Sequence, residues 1–421
     1  MTAFSEEITL EGHIIDSWAL PRAFDAIMDM GGWFDVQEIQ VGRAKDEVSF
    51  ARLKVQAESE ERLEEILVAL QEFGAVMATR DDVNYQPAPA DGVLPPNFYS
   101  TTHLPTQVRL NGRWIDVKNT EMDLAIIVSP AYSEARMVPC SEVVKGELVV
   151  VGHDGIRIIP PERSREREIF SFMNSNVSSE HPKRLVIEEI AREMREIRAH
   201  GGKVLIVAGP AIVHSGAGPH LAKLIRDGYV QVLFGGNAIC THDVESVLFG
   251  TSLGVALNNG RPVPGGHRNH MAAINAIRTA GSLRAAVDKG VLTQGIMYEC
   301  VKNNVDLVLA GSVRDDGPMP DVITDTAKAQ VKMRAAVHGV EMALMIATML
   351  HSIATGNMLK ASVKVVAVDI NPAVVTKLAD RGTFQALGLV TDAELFVREL
   401  ASALAALEAR EGSELSKAGK A

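Results

Sequence analysis

Cysteine is scarce in this chain. Cys140, Cys240 and Cys300 stand far apart and are odd in number, which excludes a disulfide framework and suits a reducing cytoplasm. Basic residues are outnumbered: Lys and Arg total 42 against 53 Asp and Glu, a formal net charge of −11. That balance excludes the basic stripe of a nucleic-acid binder and leaves room for a cationic small substrate. Long apolar runs are missing too. The most apolar stretch, Met342 to Leu350, is bounded by Glu341 and His351, far short of the roughly 18 residues a spanning helix needs. Met1 to Thr9 is acidic and carries no signal-peptide pattern. No P-loop is present, and the glycines from Gly209 to Gly218 have the wrong spacing for G-x-G-x-x-G.

What is present is an ordinary globular composition, 47% hydrophobic and 23% charged over 421 residues. At about 100–200 residues per domain, that length suggests two or three domains. Residues 1–84 read as β-α-β-β-α-β, the ferredoxin-like plan. Ile8, Leu10 and Ile14 share one parity, as a half-buried strand requires. Pro21 opens a helical stripe of Phe24, Ile27 and Met28 that stops at Gly31-Gly32. Phe34 to Val41 and Phe50 to Val55 are strands, and Ser59 caps a helix bearing Leu63, Ile66, Leu67, Leu70 and Phe73. Ala75 to Ala78 supplies the last strand.

Residues 85–180 open with the Pro87-Ala88-Pro89 and Pro95-Pro96 stretch, read as a linker. Short strands follow, with Asn111-Gly112 as a hairpin signal, so a small β-rich domain is expected. Pro161 to Glu168 reads as a solvated, charged connection. Residues 181–405 change character. Apolar runs at Val204–Val207, Val230–Phe234, Val305–Leu309 and Val363–Val368 alternate with helical periodicity, the pattern of a buried parallel sheet. Each run ends in small or polar residues, at the edge where α/β sheets bind ligands. The fold class expected is α/β, with a Rossmann-like parallel-sheet domain last. The tail at 406–421 reads as disordered.

Three places on that edge concentrate chemistry. Asp369 ends a Val-rich strand, where an acid suits a ribose diol; it serves equally as the N-cap of a helix starting at Pro372. His267 and His270, in Gly265-Gly266-His267-Arg268-Asn269-His270, lack a Cys or carboxylate partner at zinc spacing. No metal is therefore expected, and hydrogen bonding to substrate or cofactor competes with a capped loop. The loop Gly311 to Pro318 carries Arg314, Asp315 and Asp316. Arg314 can grip a carboxylate bidentately, and paired acids can bind an ammonium or divide into acid and base. The alternative is a solvated turn with an internal salt bridge. Cys240 and Cys300 have no base beside them in sequence and read as structural.

Several of these segments recur together in one family. Leu10 to Ser17, Phe98 to Thr102, Gly235-Gly236-Asn237-Ala238 with His242-Asp243, Gly265 to His270 and Ser312 to Pro318 match its pattern. The chain resembles the archaeal-type ornithine cyclodeaminases, a family named after the lysine–oxoglutarate reductase/saccharopine dehydrogenase conserved region. That family is related to the carboxyl-terminal part of cyanobacterial arginine dihydrolase fusions. The chain opens directly on the ferredoxin-like module, so dihydrolase activity is not expected. A fainter likeness to deoxyhypusine synthase runs through Gly209 to Leu221, Gly235 to Asn237 and Val363 to Asp369.

The resemblance implies a cytoplasmic, NAD-dependent ammonia-lyase. L-Ornithine would lend its α-hydride to NAD, cyclise with loss of ammonia and recover the hydride as L-proline, leaving the cofactor unconsumed. It implies cofactor contacts at Asn237, Ala238, Asp316, Thr348, Met349, Leu350, His351, Asp369, Ile370, Asn371, Val390 and Thr391. From the residues alone, Thr348 to His351 read as buried helix. By position, Asp316 or Asp315 would carry a proton, Arg314 would hold the substrate carboxylate, and His267 and His270 would orient. A homo-oligomer is expected from the ferredoxin-like module, with neither nucleic acid nor membrane as partner. Competing readings are a saccharopine-type dehydrogenase, which would turn over cofactor, a non-catalytic sensor of NAD and an amino acid, and a synthase-like transferase. Asp369 favours NAD, because a carboxylate repels a 2′-phosphate.

Overall fold

A computed structural model describes residues 4–15, 17–43, 47–71, 73–77, 81–159, 183–315, 317–380 and 386–418. The chain divides into two compact units, residues 1–171 with 357–361, and residues 172–356 with 362–421.

The first unit begins with β1 (Phe4–Gly12), α1 (Ala19–Asp29), β2 (Trp33–Gln40), β3 (Ser49–Ala57), α2 (Glu60–Gln71) and β4 (Val76–Met77). They form an antiparallel sheet in the order β2-β3-β1-β4, the order of the ferredoxin-like plan. Period-two alternation places Ala51, Leu53, Val55 and Ala57 on its buried face with Ile8 and Leu10. Against them pack Ala23 and Ile27 of α1 and Leu63, Ile66 and Leu70 of α2. Ser59 caps α2 through Oγ, which accepts from Arg62 N at 3.2 Å. Met28 departs from the expected stripe: α1 begins at Ala19, turning Leu20 and Ala23 inward and Met28 to solvent.

A seven-stranded sheet follows, built from β5 (Asn84–Pro87), β6 (Thr106–Leu110), β7 (Arg113–Lys118), β8 (Ala125–Ser129), β9 (Glu134–Val138), β10 (Leu148–Val151) and β11 (Ile156–Ile158). Its order is β11-β6-β7-β9-β8-β10-β5. Asn111 and Gly112, both at positive φ, turn β6 into β7. The Pro-rich stretch is not simply a linker. Its first residue, Pro87, ends edge strand β5 and faces Leu148, and an edge is where a strand tolerates proline. Strand β9 was not expected; its five residues bury only Ala135, Met137 and Val138. Pro161 to Glu168 lies outside the described residues.

The second unit runs α3 (Lys183–Ala199), β12 (Lys203–Ala208), α4 (Ala211–His214), α5 (Gly218–Arg226), β13 (Val232–Gly235), α6 (Asn237–Phe249), the hairpin β14 (Thr251–Ser252) and β15 (Val255–Ala256), and α7 (Asn269–Ala280). It continues through α8 (Leu283–Asp288), α9 (Ile296–Lys302), β16 (Asp306–Ala310), β17 (Val322–Ile323), α10 (Thr326–Ala336), β18 (Val340–Ile346), α11 (Leu350–Met358) and β19 (Lys364–Asp369). Last come α12 (Pro372–Asp380), β20 (Ala386–Val390) and α13 (Ala393–Ala418). The sheet is wholly parallel, in the order β17-β16-β13-β12-β18-β19-β20.

Apart from edge strand β17, that is the doubly wound 3-2-1-4-5-6 order, whose switch point lies between β12 and β18. All four expected strands are present, and β18 beside them was missed. The tail expected to be disordered is helical to Ala418. Leu400, Ala401 and Leu404 are buried, and Glu408 accepts from Tyr229 Oη at 2.8 Å and pairs with Arg198 at 2.9 Å.

Where the two halves diverge, main chain meets main chain. Gly209 N donates to Ile346 O at 2.9 Å, and a Cβ on Gly209 would overlap the carbonyl oxygen of Ala347. Gly209→Ala should therefore cost about 1–3 kcal/mol of stability, as overpacking does. Urea denaturation measures it, and an unchanged midpoint would contradict the close approach.

Candidate active site at the carboxyl edge of the parallel sheet

Successive strands deliver their loops to one edge of the second unit. After β13, Gly236 is extended and α6 starts at Asn237 with no side chain capping its first amides. Asn237 is buried; its Oδ1 accepts from Met319 N at 3.1 Å and Thr241 Oγ1 at 3.3 Å. It thus ties this turn to the segment after β16, while Ala238 faces solvent. After β16, Asp315 Oδ2 accepts from Ser312 N at 2.7 Å, and Arg314 N donates to Ser312 Oγ at 3.2 Å. Asp315 thereby closes its own loop, and Arg314 and Val313 project outward. Asp316 lies outside the described residues.

Strand β18 leads through Ala347, at positive φ, into Thr348, Met349 and α11. Thr348 and Met349 form the strand-to-helix turn, whereas Leu350 and His351 open α11; Met349 and Leu350 are exposed rather than buried. His351 turns inward. A Cβ on Gly236 would lie 3.2 Å from its Cε1. Burial lowers the His351 pKa, against a hydrogen bond to the Ala310 carbonyl and the nearby charge of Asp315. After β19, Asp369 Oδ1 accepts from Asn371 N at 2.8 Å, while Asn371 Oδ1 accepts from Ala373 N at 3.0 Å. The residue accepting from the start of α12 is therefore Asn371, and the second carboxylate oxygen of Asp369 takes no hydrogen bond among the described residues. Ile370 is exposed beside it; Thr391, beyond Val390, donates its N–H to the Asp369 carbonyl at 3.1 Å.

A second group of polar residues was not read from the sequence. His214 Nδ1 lies 2.6 Å from Ser252 Oγ, and its ring meets that of His242 edge-on at 4.7 Å between centroids. His242 Nδ1 is 2.9 Å from Glu245 Oε2. Glu245 is fully buried and also accepts from Thr251 Oγ1 at 2.8 Å, Gly254 N at 3.0 Å and Leu253 N at 3.2 Å. Burial pushes its pKa up, but these bonds outweigh burial and hold it below the usual value. His267 is exposed and His270 half-buried at the start of α7. Between them Asn269 Nδ2 donates to Thr251 Oγ1 at 2.9 Å. Among the described residues, no group of three or more His, Cys, Asp or Glu side chains is placed to hold a metal ion.

Sequence models of known families cover this chain almost end to end. The LOR/SDH bifunctional enzyme conserved region matches residues 5–104. The first C-terminal region of ArgZ-like arginine dihydrolases matches 105–187, and their C-terminal Rossmann fold matches 188–400. An ornithine cyclodeaminase of Methanocaldococcus jannaschii is 54% identical over 411 residues, 96% of this chain and 97% of that protein. The chain belongs to the archaeal-type ornithine cyclodeaminase family. A solved LOR/SDH protein of Methanococcus maripaludis superposes with a TM-score of 0.74 at 52% identity, over 78% of this chain and 99% of that one. AgrE in ternary complex with ornithine and NAD+ superposes with a TM-score of 0.53 at 46% identity, over 97% of this chain and 58% of that one.

Within this cyclodeaminase-family chain, the structure brings His351 against Gly236, next to Asn237, with the charge of Asp315 acting on its ring. It sets Thr348 to Leu350, Asp369 to Asn371, and Val390 with Thr391 at successive strand ends. His267 and His270 instead flank Asn269, which bonds the Thr251 hydroxyl held by Glu245. The sequence signal for the His214–Glu245 group was His242 three residues before Glu245, one turn apart on a helix. Cys240 and Cys300 are fully buried, and burial raises both thiols, consistent with a structural role.

Asp243 belongs to the packing as well. Its oxygens accept from Ile296 N and Met297 N at 2.9 and 2.8 Å, joining α6 to α9. Burial nevertheless pushes its carboxyl up to about 6. A carboxyl raised on folding adds stability at low pH that is lost as pH rises from about 4 to about 6. Relative to Asp243→Asn, the wild type should thus gain stability on acidification across that window, at most about 1.4 kcal/mol per pH unit. Denaturation curves at several pH values test this, and parallel pH dependences would contradict it.

Proposed function

We propose that this chain is an ornithine cyclodeaminase, converting L-ornithine to L-proline and ammonia with NAD as an unconsumed cofactor. The observation that carries this reading is the likeness to archaeal ornithine cyclodeaminases along nearly the whole of both chains. The site fits a dinucleotide. Met349, Leu350 and Ile370 are exposed apolar residues at the ligand edge, beside a carboxylate with one oxygen to spare. Bound NAD would supply a temporary acceptor for the α-hydride of the substrate.

Asp369 would hold the adenosine ribose through its diol, flanked by Ile370, Asn371, Val390 and Thr391. Thr348 to His351 and the uncapped start of α6 would present backbone amides to the phosphates. Asn237, Ala238 and Asp316 would border the reacting end. Arg314, exposed on its loop, would take the substrate carboxylate. Asp315 and Asp316 would hold the α-ammonium and carry its proton, with His267 and His270 orienting the substrate. Asp315 already spends one oxygen on Ser312 N.

A homo-oligomer is supported by apolar Trp33, Val36 and Ile39, exposed on edge strand β2. A cytoplasmic setting is supported by the three free cysteines. Among the described residues, no helix is long and apolar enough to cross a membrane.

Incubation with L-ornithine and substoichiometric NAD tests the function. Proline and ammonia should appear in equal amounts, exceeding the cofactor, without net reduction. Net reduced cofactor would instead indicate a dehydrogenase, and NAD binding without turnover a sensor. Asp369→Asn keeps the acceptor for Asn371 N but removes the charge. It should weaken NAD about tenfold and narrow the preference over NADP; unchanged affinities for both would remove Asp369 from the site.

A further inference from the structure

The cyclisation has its own proton balance. L-Ornithine enters with two ammonium groups; proline and ammonium leave. Over the whole reaction the δ-nitrogen gives up one proton and the departing α-nitrogen gains one. A lysine-like ammonium has a pKa of about 10.4, so at neutral pH the δ-nitrogen has no lone pair to attack with until a base takes that proton.

We propose that His214 is the catalytic residue that carries this proton, with Ser252, His242 and Glu245 as positioning residues behind it. The proposal rests on the ornithine reading above. His214 ends α4, which follows β12 directly and packs on α6, the helix leaving the neighbouring strand β13. Its Nδ1 is engaged by Ser252 Oγ at 2.6 Å, which leaves Nε2 to exchange a proton with a ligand. It is the outermost member of its chain: the ring is half-buried, whereas His242 and Glu245 are buried.

Four donors converge on Glu245, two side chains and two main-chain amides. A buried carboxylate held this fully can orient His242 against His214 and favour the imidazolium when it forms. Burial first, and the adjacent His242 second, hold the His214 pKa below 6.5, while Glu245 opposes them. The titratable groups acting on the ring are thus His242 and Glu245, both on α6. Position along the edge agrees. A dinucleotide with its ribose at Asp369, beyond β18, extends its other end toward β12 and β13.

In the step assigned, Nε2 takes one proton from the δ-ammonium. The freed lone pair forms the ring C–N bond at the α-carbon, and the bond from that carbon to the α-nitrogen breaks. The new ring nitrogen passes a second proton to the departing nitrogen as the ring C=N bond forms, and the ammonia released takes the proton held on Nε2 and leaves as ammonium, returning His214 to the neutral state. No oxidant or reductant is consumed in this step.

The full-length chain and its His214→Gln, Ser252→Ala and Glu245→Gln variants are compared with ornithine and NAD from pH 5 to 9. NAD affinity, proline, ammonia and reduced-cofactor absorbance are followed. His214→Gln should bind NAD like the wild type and form proline about 100-fold more slowly. It should also accumulate reduced cofactor in the first turnover and lose the acid limb of the kcat profile. Glu245→Gln should move that limb to lower pH, and Ser252→Ala should slow turnover less while keeping the limb. Should His214→Gln fail to fold, those two variants carry the test, and acid limbs identical to the wild type in rate and position would overturn the proposal. So would a folded His214→Gln that forms proline within threefold of the wild-type rate, or that loses cofactor reduction and proline equally; both leave the cyclodeaminase reading intact. A wild type that binds NAD but forms no proline would overturn that reading, and this proposal with it.

Discussion

Strands β12 and β18 lie side by side in the parallel sheet, and the chain leaves them in opposite directions, toward β13 and toward β19. That divergence opens a crevice at their carboxyl ends. It requires two turns to pass at main-chain distance, which Gly209 permits by having no Cβ to strike Ala347. The uncapped start of α6, the loop holding Arg314 and Asp315, the Thr348–Met349 turn and Asp369 all reach the same edge because of it. Each follows a strand paired on both sides, so loops at this edge inherit the rigidity of a buried sheet.

Helix α6 carries a second constraint. Its residues Thr241, His242, Asp243 and Glu245 are all buried, an unusual load of polarity for a helix interior. The structure offsets it with specific donors: main-chain amides of α9 for Asp243, and amides of the β14–β15 hairpin for Glu245. Buried carboxylates satisfied in this way fix segments distant in sequence. Here they fix the hairpin that carries Ser252 and the turn where α9 begins. Packing and candidate proton chemistry therefore share the same side chains.

Much of this was legible in the sequence, for identifiable reasons. Apolar runs ending in Gly-Gly-Asn or Ala-Gly-Ser mark buried strands and the edge at which they end, which located β13 and β16 and drew attention to the Gly311 to Pro318 loop. Alternation in Ala51, Leu53 and Val55 gave the ferredoxin-like core. Strand β18 was hidden because Met342 to Leu350 is apolar but for Thr348, and periodicity cannot divide such a run into strand, turn and helix; the positive φ at Ala347 leaves no mark in the sequence. The Pro-rich stretch misled because an edge strand tolerates what a central strand forbids. The His214–Glu245 group was illegible for another reason. His214 meets Ser252, 38 positions away, and only the fold brings them together.

The central claim is that the cofactor borrows a hydride and returns it to the same carbon skeleton. L-Ornithine deuterated at the α-carbon, turned over with unlabelled NAD in ordinary water, tests this directly. The account predicts proline that retains deuterium at its α-carbon, with no label released to solvent. Proline carrying solvent hydrogen there, with the label lost to water, would contradict it.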